Sequence, residues 1–270
     1  MGDLKKNEIY ILDVNFYDGK PFKKISSKSR VYIKKCFEKG ISLIKKHKIK
    51  YLINGPISKK HFLSKKYLGI TEYISDKMNS KNKEVMLIYS KDISVSPITT
   101  HNPLRMIFKK ITKSKIVLNV KTINEFYKKN LFKKPKFAIT GLNPHCESKN
   151  KINEENSIIK PAVRILKKNS INIKGPFSAD TIFLKNNIKK FDVIIGMYHD
   201  QVLSPIKTLL EFKAINITLG IPILRISPDH GPNFEMIGKN ISNYESLLES
   251  LSLINKIYKK WKSSQKKNLV

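Results

Sequence analysis

Four of the six histidines in this chain stand in short polar clusters next to apolar runs. His101 lies in Thr99-Thr100-His101-Asn102-Pro103 and His145 in Gly141-Leu142-Asn143-Pro144-His145. His199 lies in Tyr198-His199-Asp200-Gln201 and His230 in Pro228-Asp229-His230-Gly231. Imidazole suits Zn²⁺ and other divalent transition metals, and three protein ligands with one position open is the catalytic arrangement. His101, His145 and His199 are separated by 44 and 54 residues, which excludes a zinc finger and fits distant loops meeting in space. Loop histidines also act as caps and hydrogen-bonding groups, and the spacing leaves that reading open. His47 lies at a lysine-rich helix end, and His61 in a helical stretch with no obvious partner.

A cationic set lies downstream: Lys207, Asn216 and Arg225. A lysine, an amide and an arginine on neighbouring elements suit a phosphate ester or a carboxylate. Only four of the 53 basic residues are arginines (Arg30, Arg105, Arg164 and Arg225), so an arginine here suggests a need for a planar, two-pronged donor. Lys207 is one of many lysines and is less distinctive. Asp180, in residues 175–181 (GPFSADT), reads equally as a helix-start acid or as a carboxylate of a substrate site.

The elements that must position these residues follow from the apolar pattern. Residues 8–14, 51–53, 85–89, 136–140, 193–195, 215–219 and 223–226 read as strands, several of them short buried runs. Residues 27–47, 58–65, 103–110, 115–130, 154–167 and 241–262 read as helices. In the first of these the apolar positions are Val31, Ile33, Phe37, Ile41 and Ile44. Alternation of strand and helix predicts an α/β fold with a largely parallel sheet. The polar clusters then fall just past strand ends, where open α/β sheets collect ligands.

Composition excludes several classes. With 40% hydrophobic residues the chain reads as globular, and no run of about 18 apolar residues suggests a membrane span. No secretory leader is recognisable, so a cytoplasmic location is expected. Cys36 and Cys146 are too few for a disulfide framework and read as bystanders. The net charge of +32 invites a nucleic-acid reading, but it is carried by lysines spread along the whole chain rather than by clustered arginines with interleaved aromatics. A solvated, lysine-biased surface with no specific nucleic-acid partner is expected, the alternative being a non-enzymatic polyanion-binding protein.

Residues 141–145 (GLNPH), 175–181 (GPFSADT), 198–207 (YHDQVLSPIK), 216–225 (NITLGIPILR) and 229–231 (DHG) together resemble the 4-hydroxythreonine-4-phosphate dehydrogenases, the PdxA family of pyridoxal phosphate biosynthesis. Residues 54–59 (NGPISK) and 99–105 (TTHNPLR) fit the same pattern. The resemblance implies a two-domain α/β fold similar to isocitrate and isopropylmalate dehydrogenases. Residues 1–79 plus 206–270 would form the dinucleotide-side domain and 80–205 the metal and dimerisation domain. It implies a homodimer with the active site at the interface and a small phosphorylated substrate. His101, His145 and His199 would bind a divalent metal (Zn, Mg or Co), one of them contributed across the interface. Thr71, Lys207, Asn216 and Arg225 would contact substrate, with Lys207 and Asp180 in catalytic roles. Asp229, His230 and Gly231 would begin the loop that holds NAD.

The chain departs from the family pattern in four places. Ile70 stands where the family has a substrate-contacting histidine. Cys146-Glu147-Ser148 and Pro232 replace the usual residues after the GLNPH and DHG motifs. The family's first strand and glycine-rich loop are not found before Met1, so the dinucleotide-side domain is expected to lack its first elements. These departures leave open another phosphorylated four-carbon acid or a dihydrodiol as substrate, or an inactive truncated homologue.

Overall fold

The computed structural model describes residues 8–16, 28–63, 67–146 and 153–267. Eight strands form one sheet: β1 (Tyr51–Ile53), β2 (Val85–Tyr89), β3 (Ser94–Thr99), β4 (Phe137–Thr140), β5 (Ile173–Phe177), β6 (Val193–Tyr198), β7 (Ile215–Leu219) and β8 (Leu224–Pro228). Their spatial order is β1-β8-β7-β2-β3-β6-β4-β5. The sheet is mixed rather than largely parallel. β1–β8, β3–β6, β6–β4 and β4–β5 are parallel, whereas β8–β7, β7–β2 and β2–β3 are antiparallel. For two of these antiparallel pairs the cause is local: β2 and β3, and likewise β7 and β8, are joined by turns of only four residues, too short for a parallel crossover.

The strand β2 shows how the sheet divides the core. All five of its residues are buried, as in a strand covered on both faces. Val85, Leu87 and Tyr89 belong to one apolar cluster, and Met86 and Ile88 to another. Period-two alternation thus feeds two cores from one strand. The first core is closed by α5 (Lys113–Phe126), α6 (Lys160–Lys168) and α10 (Glu245–Lys267) through Ile116, Val120, Ile123, Leu166, Leu253 and Ile257. The second is closed by α9 (His199–Leu210) through Val202, Leu203 and Ile206. Each such aliphatic side chain contributes about 1.5–3 kcal/mol when fully buried.

A third cluster forms where α1 (Ser29–His47) packs Phe37, Ile41 and Ile44 against Ile70, Tyr73 and Ile74 of α3 (Ile70–Lys77) and Phe62 of α2 (Lys59–Phe62). Val31 is exposed rather than part of this stripe. Lys45, Lys46 and His47 fill the last turn of α1, where cations complement the helix dipole. The remaining helices are the single turns α4 (Ile107–Lys110), α7 (Ala179–Ile182) and α8 (Lys185–Ile188).

Several expectations need correction. Residues 8–14 form no strand: Ile9 and Ile11 are more than nine-tenths exposed, and no sheet edge takes up their backbone groups. Among elements not anticipated, β3 was hidden by its polar residues. Ser94 and Ser96 are fully buried because their hydroxyls are satisfied, by Tyr127 Oη at 2.8 Å and by the Met86 carbonyl at 2.6 Å. Residues 173–177, which are not among the strands expected from the apolar pattern, form β5. Gly175 has φ +123°, and a Cβ there would lie 2.4 Å from the Ile139 carbonyl, so only glycine fits. Among the described residues no helix is long and apolar enough to cross a membrane.

Candidate active site

The register of β3 and β6 brings two histidines together. Thr99 pairs with Tyr198 at the carboxyl ends of these parallel strands, and Thr99 Oγ1 donates to the Met197 carbonyl at 2.8 Å. His199 follows Tyr198 directly as the first residue of α9, and His101 lies two residues past Thr99. Their ring centroids are 5.6 Å apart. His145 follows β4, on the other side of β6, so all three histidines stand at the ends of adjacent parallel strands. Within one chain, however, His145 points elsewhere. It is largely exposed, it lies 3.8 Å from Asp180 Oδ2, and it does not line the cavity described next. Among the described residues of one chain no three His, Cys, Asp or Glu side chains form a metal-binding group.

His101 and His199 open into a cavity of about 270 Å³. Thr71, Lys207, Asn216, Arg225, Asp229, His230 and Gly231 line it, so most of the residues singled out from sequence converge. Asn216 comes from β7 and Arg225 from β8, while Lys207 stands two turns along α9 from His199. Thr71 enters from the first turn of α3, its Oγ1 3.3 Å from that of Thr218. Asp180 is not part of the lining. It is exposed, accepts a hydrogen bond from Ser178 at 2.6 Å, and is held below the usual carboxylate range by that bond first and by His145.

Arg225 is the most deeply placed cation, with 3% of its surface exposed. Its Nε donates to Asn54 Oδ1 at 2.6 Å and its Nη1 to Thr218 Oγ1 at 3.3 Å. Burial pushes its pKa down to about 10, opposed by the charge of Glu72. Lys207 Nζ donates to the Asp229 carbonyl at 2.7 Å and lies 3.2 Å from Asp229 Oδ2. Burial raises the Asp229 carboxyl, with Lys207 pulling the other way. His199 Nδ1 lies 2.6 Å from Asp200 Oδ1.

Three polar atoms of the lining residues, His101 Nδ1, Asn216 Oδ1 and Asp229 Oδ2, are buried with no hydrogen-bond partner among the described residues, the last of them ion-paired with Lys207. Leaving such a group unpaired costs roughly 1–3 kcal/mol, so a ligand that satisfies it is favoured. Two imidazoles facing one cavity are donors of the type a divalent transition metal takes. A second, wider cavity of about 980 Å³ adjoins the first and shares Pro56, His230 and Gly231 with it. Its wall is mainly the segment from His230 to Asn243.

A family model described as "pyridoxal phosphate biosynthetic protein PdxA" matches residues 2–254. The chain belongs to the PdxA family. A PdxA relative from Sulfurihydrogenibium sp., named 4-hydroxythreonine-4-phosphate dehydrogenase, is 40% identical over 94% of this chain and 79% of its own length. One of the same name from Zymomonas mobilis is 35% identical over 80% of this chain, which spans 66% of that relative. Of the solved structures, 4-hydroxythreonine-4-phosphate dehydrogenase from Klebsiella pneumoniae superposes with a TM-score of 0.72 at 26% identity, covering 87% of this chain and 72% of that one. A β-decarboxylating dehydrogenase from Thermococcus kodakarensis shares the fold, with a TM-score of 0.54 at 10% identity over 84% of this chain and 71% of its own. The expected α/β architecture of the PdxA and isocitrate-like enzymes is thus borne out.

Sequence reasoning missed several residues that build this PdxA site. Gln201 ties the ends of β4 and β6 to the start of α9. Its Oε1 accepts from Thr140 Oγ1 at 2.8 Å and from the Met197 amide at 2.7 Å, and its Nε2 donates to the Gly141 carbonyl at 2.8 Å. Glu155 is fully buried and holds the GLNPH loop, accepting from the Leu142 and Asn143 amides at 2.8 Å each. Burial opposes its charge, but hydrogen bonds from Asn143 and Leu142 prevail and hold its carboxyl below the usual range. Burial pushes the Cys146 thiol up, so it has none of the traits of an activated nucleophile. Lys59 and Glu72 also reach His101, at 3.0 Å from Nε2 and 3.7 Å from Nδ1. Lys59 ends the 54–59 motif and Glu72 directly follows Ile70 and Thr71, and these positions were the available signal. His61 does have a partner, Ser58 Oγ at 2.7 Å.

Proposed function

We propose that this protein is an NAD-dependent, divalent-metal-dependent dehydrogenase. It oxidises 4-phosphooxy-L-threonine with decarboxylation to 3-amino-2-oxopropyl phosphate, a step of pyridoxal phosphate biosynthesis. One observation supports this reading above the others: Lys207, Asn216 and Arg225 meet His101 and His199 in a single cavity. In this reading a phosphate-binding set shares one cavity with metal-type donors.

In this reading Arg225 and Lys207 hold the substrate phosphate, with Asn216 and Thr71 completing its hydrogen bonds. Asn54 and Thr218 orient the Arg225 guanidinium, and Asp229 keeps the Lys207 ammonium facing the cavity. His101 and His199 would hold the metal together with His145 of the partner subunit. That accounts for an exposed His145 on a chain whose other two histidines are already gathered. A homodimer with a shared site is therefore part of the proposal. So are residues 1–79 plus 206–270 as the dinucleotide side and 80–205 as the metal and dimerisation side. The wider cavity behind His230 and Gly231 is where NAD would lie, with Asp229 at its threshold. When bound, the cation would acidify the substrate hydroxyl and the nicotinamide would accept the hydride. The chain's own part is to bind both ends of the substrate and to keep the reacting carbon oriented. A cytoplasmic location fits such a metabolic enzyme.

The test is NAD reduction by the full chain with 4-phosphooxy-L-threonine and added Zn²⁺, Mg²⁺ or Co²⁺. Turnover with at least one metal is expected. A folded dimer that turns over with none sinks the proposal. Ile70 favours one variant of it. This side chain lines the cavity where the family resemblance implies a histidine, so a less polar relative of the same substrate fits the same mechanism.

A further inference from the structure

Lys59 begins α2, and its ammonium lies inside the cavity, 3.0 Å from His101 Nε2. An ammonium has only protons to offer, so Nε2 must be accepting through its lone pair. The ring proton is then on Nδ1, which faces Glu72 Oε1 at 3.7 Å. Nε2 is therefore the only atom of His101 with a lone pair to give, and Lys59 already holds it. A metal and Lys59 cannot share that lone pair. Two positive charges at that spacing also repel one another.

The cavity offers a second use for Lys59. Three cations line it: Lys59, Lys207 and Arg225. Lys207 is engaged with Asp229, and Arg225 with Asn54 and Thr218. Lys59 is engaged with the ligand histidine itself. A substrate that carries a phosphate and a carboxylate brings two anionic groups, and the phosphate takes the Lys207 and Arg225 side.

We propose that Lys59 is a further substrate-binding residue that competes with the metal for His101. It holds Nε2 until the carboxylate of the substrate draws it away, so that metal and substrate bind cooperatively. This inference rests on the function proposed above. By linkage, whatever the substrate adds to metal affinity, the metal adds to substrate affinity.

The experiment measures Co²⁺ binding to the full chain by calorimetry and visible absorption. The proteins are wild type, Lys59→Met, Lys59→Gln and His101→Ala, each with and without 4-phosphooxy-L-threonine and in the absence of NAD. Both Lys59 variants are expected to bind Co²⁺ alone roughly tenfold more tightly than wild type, the scale of one charge-assisted hydrogen bond. In wild type the substrate should tighten Co²⁺ binding, and in both variants that enhancement should be clearly smaller, leaving only the part that comes from direct contact of substrate and metal. Folded Lys59 variants with wild-type Co²⁺ affinity, or with an undiminished substrate effect, overturn the inference. If Co²⁺ binding also disappears in His101→Ala, the metal reading survives that result. A wild-type chain with no Co²⁺ site, or a His101→Ala chain that binds normally, overturns both.

Discussion

The Arg225 guanidinium is held from one side by Asn54, whose Oδ1 accepts its Nε proton at 2.6 Å. Asn54 directly follows β1, and Arg225 lies in the neighbouring parallel strand β8. The contact aims a buried planar donor across the end of the sheet. A lysine could supply the charge but not the two-sided fork. Arg225→Lys is therefore expected to raise KM for the phosphorylated substrate about 10- to 100-fold. Steady-state kinetics would check it, and an unchanged KM would remove Arg225 from the phosphate site.

Glu155 links stability to pH. Its carboxyl is held below its ordinary range in the folded state. Its contribution is therefore complete above the unfolded carboxylate range and is lost as pH falls through the folded value. Glu155→Gln should cost about 2 kcal/mol near neutrality, since its amide nitrogen would face the Asn143 Nδ2 donor from which Glu155 Oε2 accepts at 2.8 Å. The gap to wild type should narrow in acid. Urea melts at the two pH values test this, and a gap that widens on acidification contradicts it.

The separation of His145 from His101 and His199 predicts complementation. His145→Ala and His199→Ala chains should each be inactive alone. Mixed by unfolding and refolding, half of the randomly paired dimers carry one complete site, so about a quarter of wild-type activity should return. No recovery from well-folded hybrid dimers would show that the site is not shared.

Ile70 is 7% exposed and packs with Phe62 and Ile74 in the third apolar cluster while bordering the cavity. Ile70→His should trade stability for polarity. Burying an imidazole there should cost about 1–3 kcal/mol, and kcat/KM for 4-phosphooxy-L-threonine should rise roughly tenfold. Thermal melts and kinetics on the same preparation read both terms. A loss of both stability and activity would show that the cavity is already matched to another substrate.

The site was more legible in sequence than the fold that carries it. Lys207, Asn216, Arg225 and the strand-end histidines could be named because chemistry restricts which residue types can do such work. The strand β3 could not, because Ser94 and Ser96 look solvated until the sheet supplies their partners. Residues 8–14 looked like a strand because apolar alternation reports side-chain preference and says nothing about whether a neighbouring edge exists. Glu155 and Gln201 escaped notice because their role lies in buried hydrogen bonds to backbone far away in sequence, for which no spacing rule exists. Asp180 was open between two roles, and it stands beside His145, outside the cavity.

The pairing of Thr99 with Tyr198 has a wider consequence. It makes the gap between the two imidazoles a property of the sheet rather than of any loop. A slip of one residue would shift one histidine by about 3.3 Å and turn the following side chains to the opposite face. Loops past His101, and those joining other strands, are free to lengthen, shorten or exchange residues without disturbing that gap. Insertions or deletions within β3 or β6 are not. Over generations the chain can therefore drift in composition, even to an extreme lysine content, while the spacing of these two histidines stays fixed.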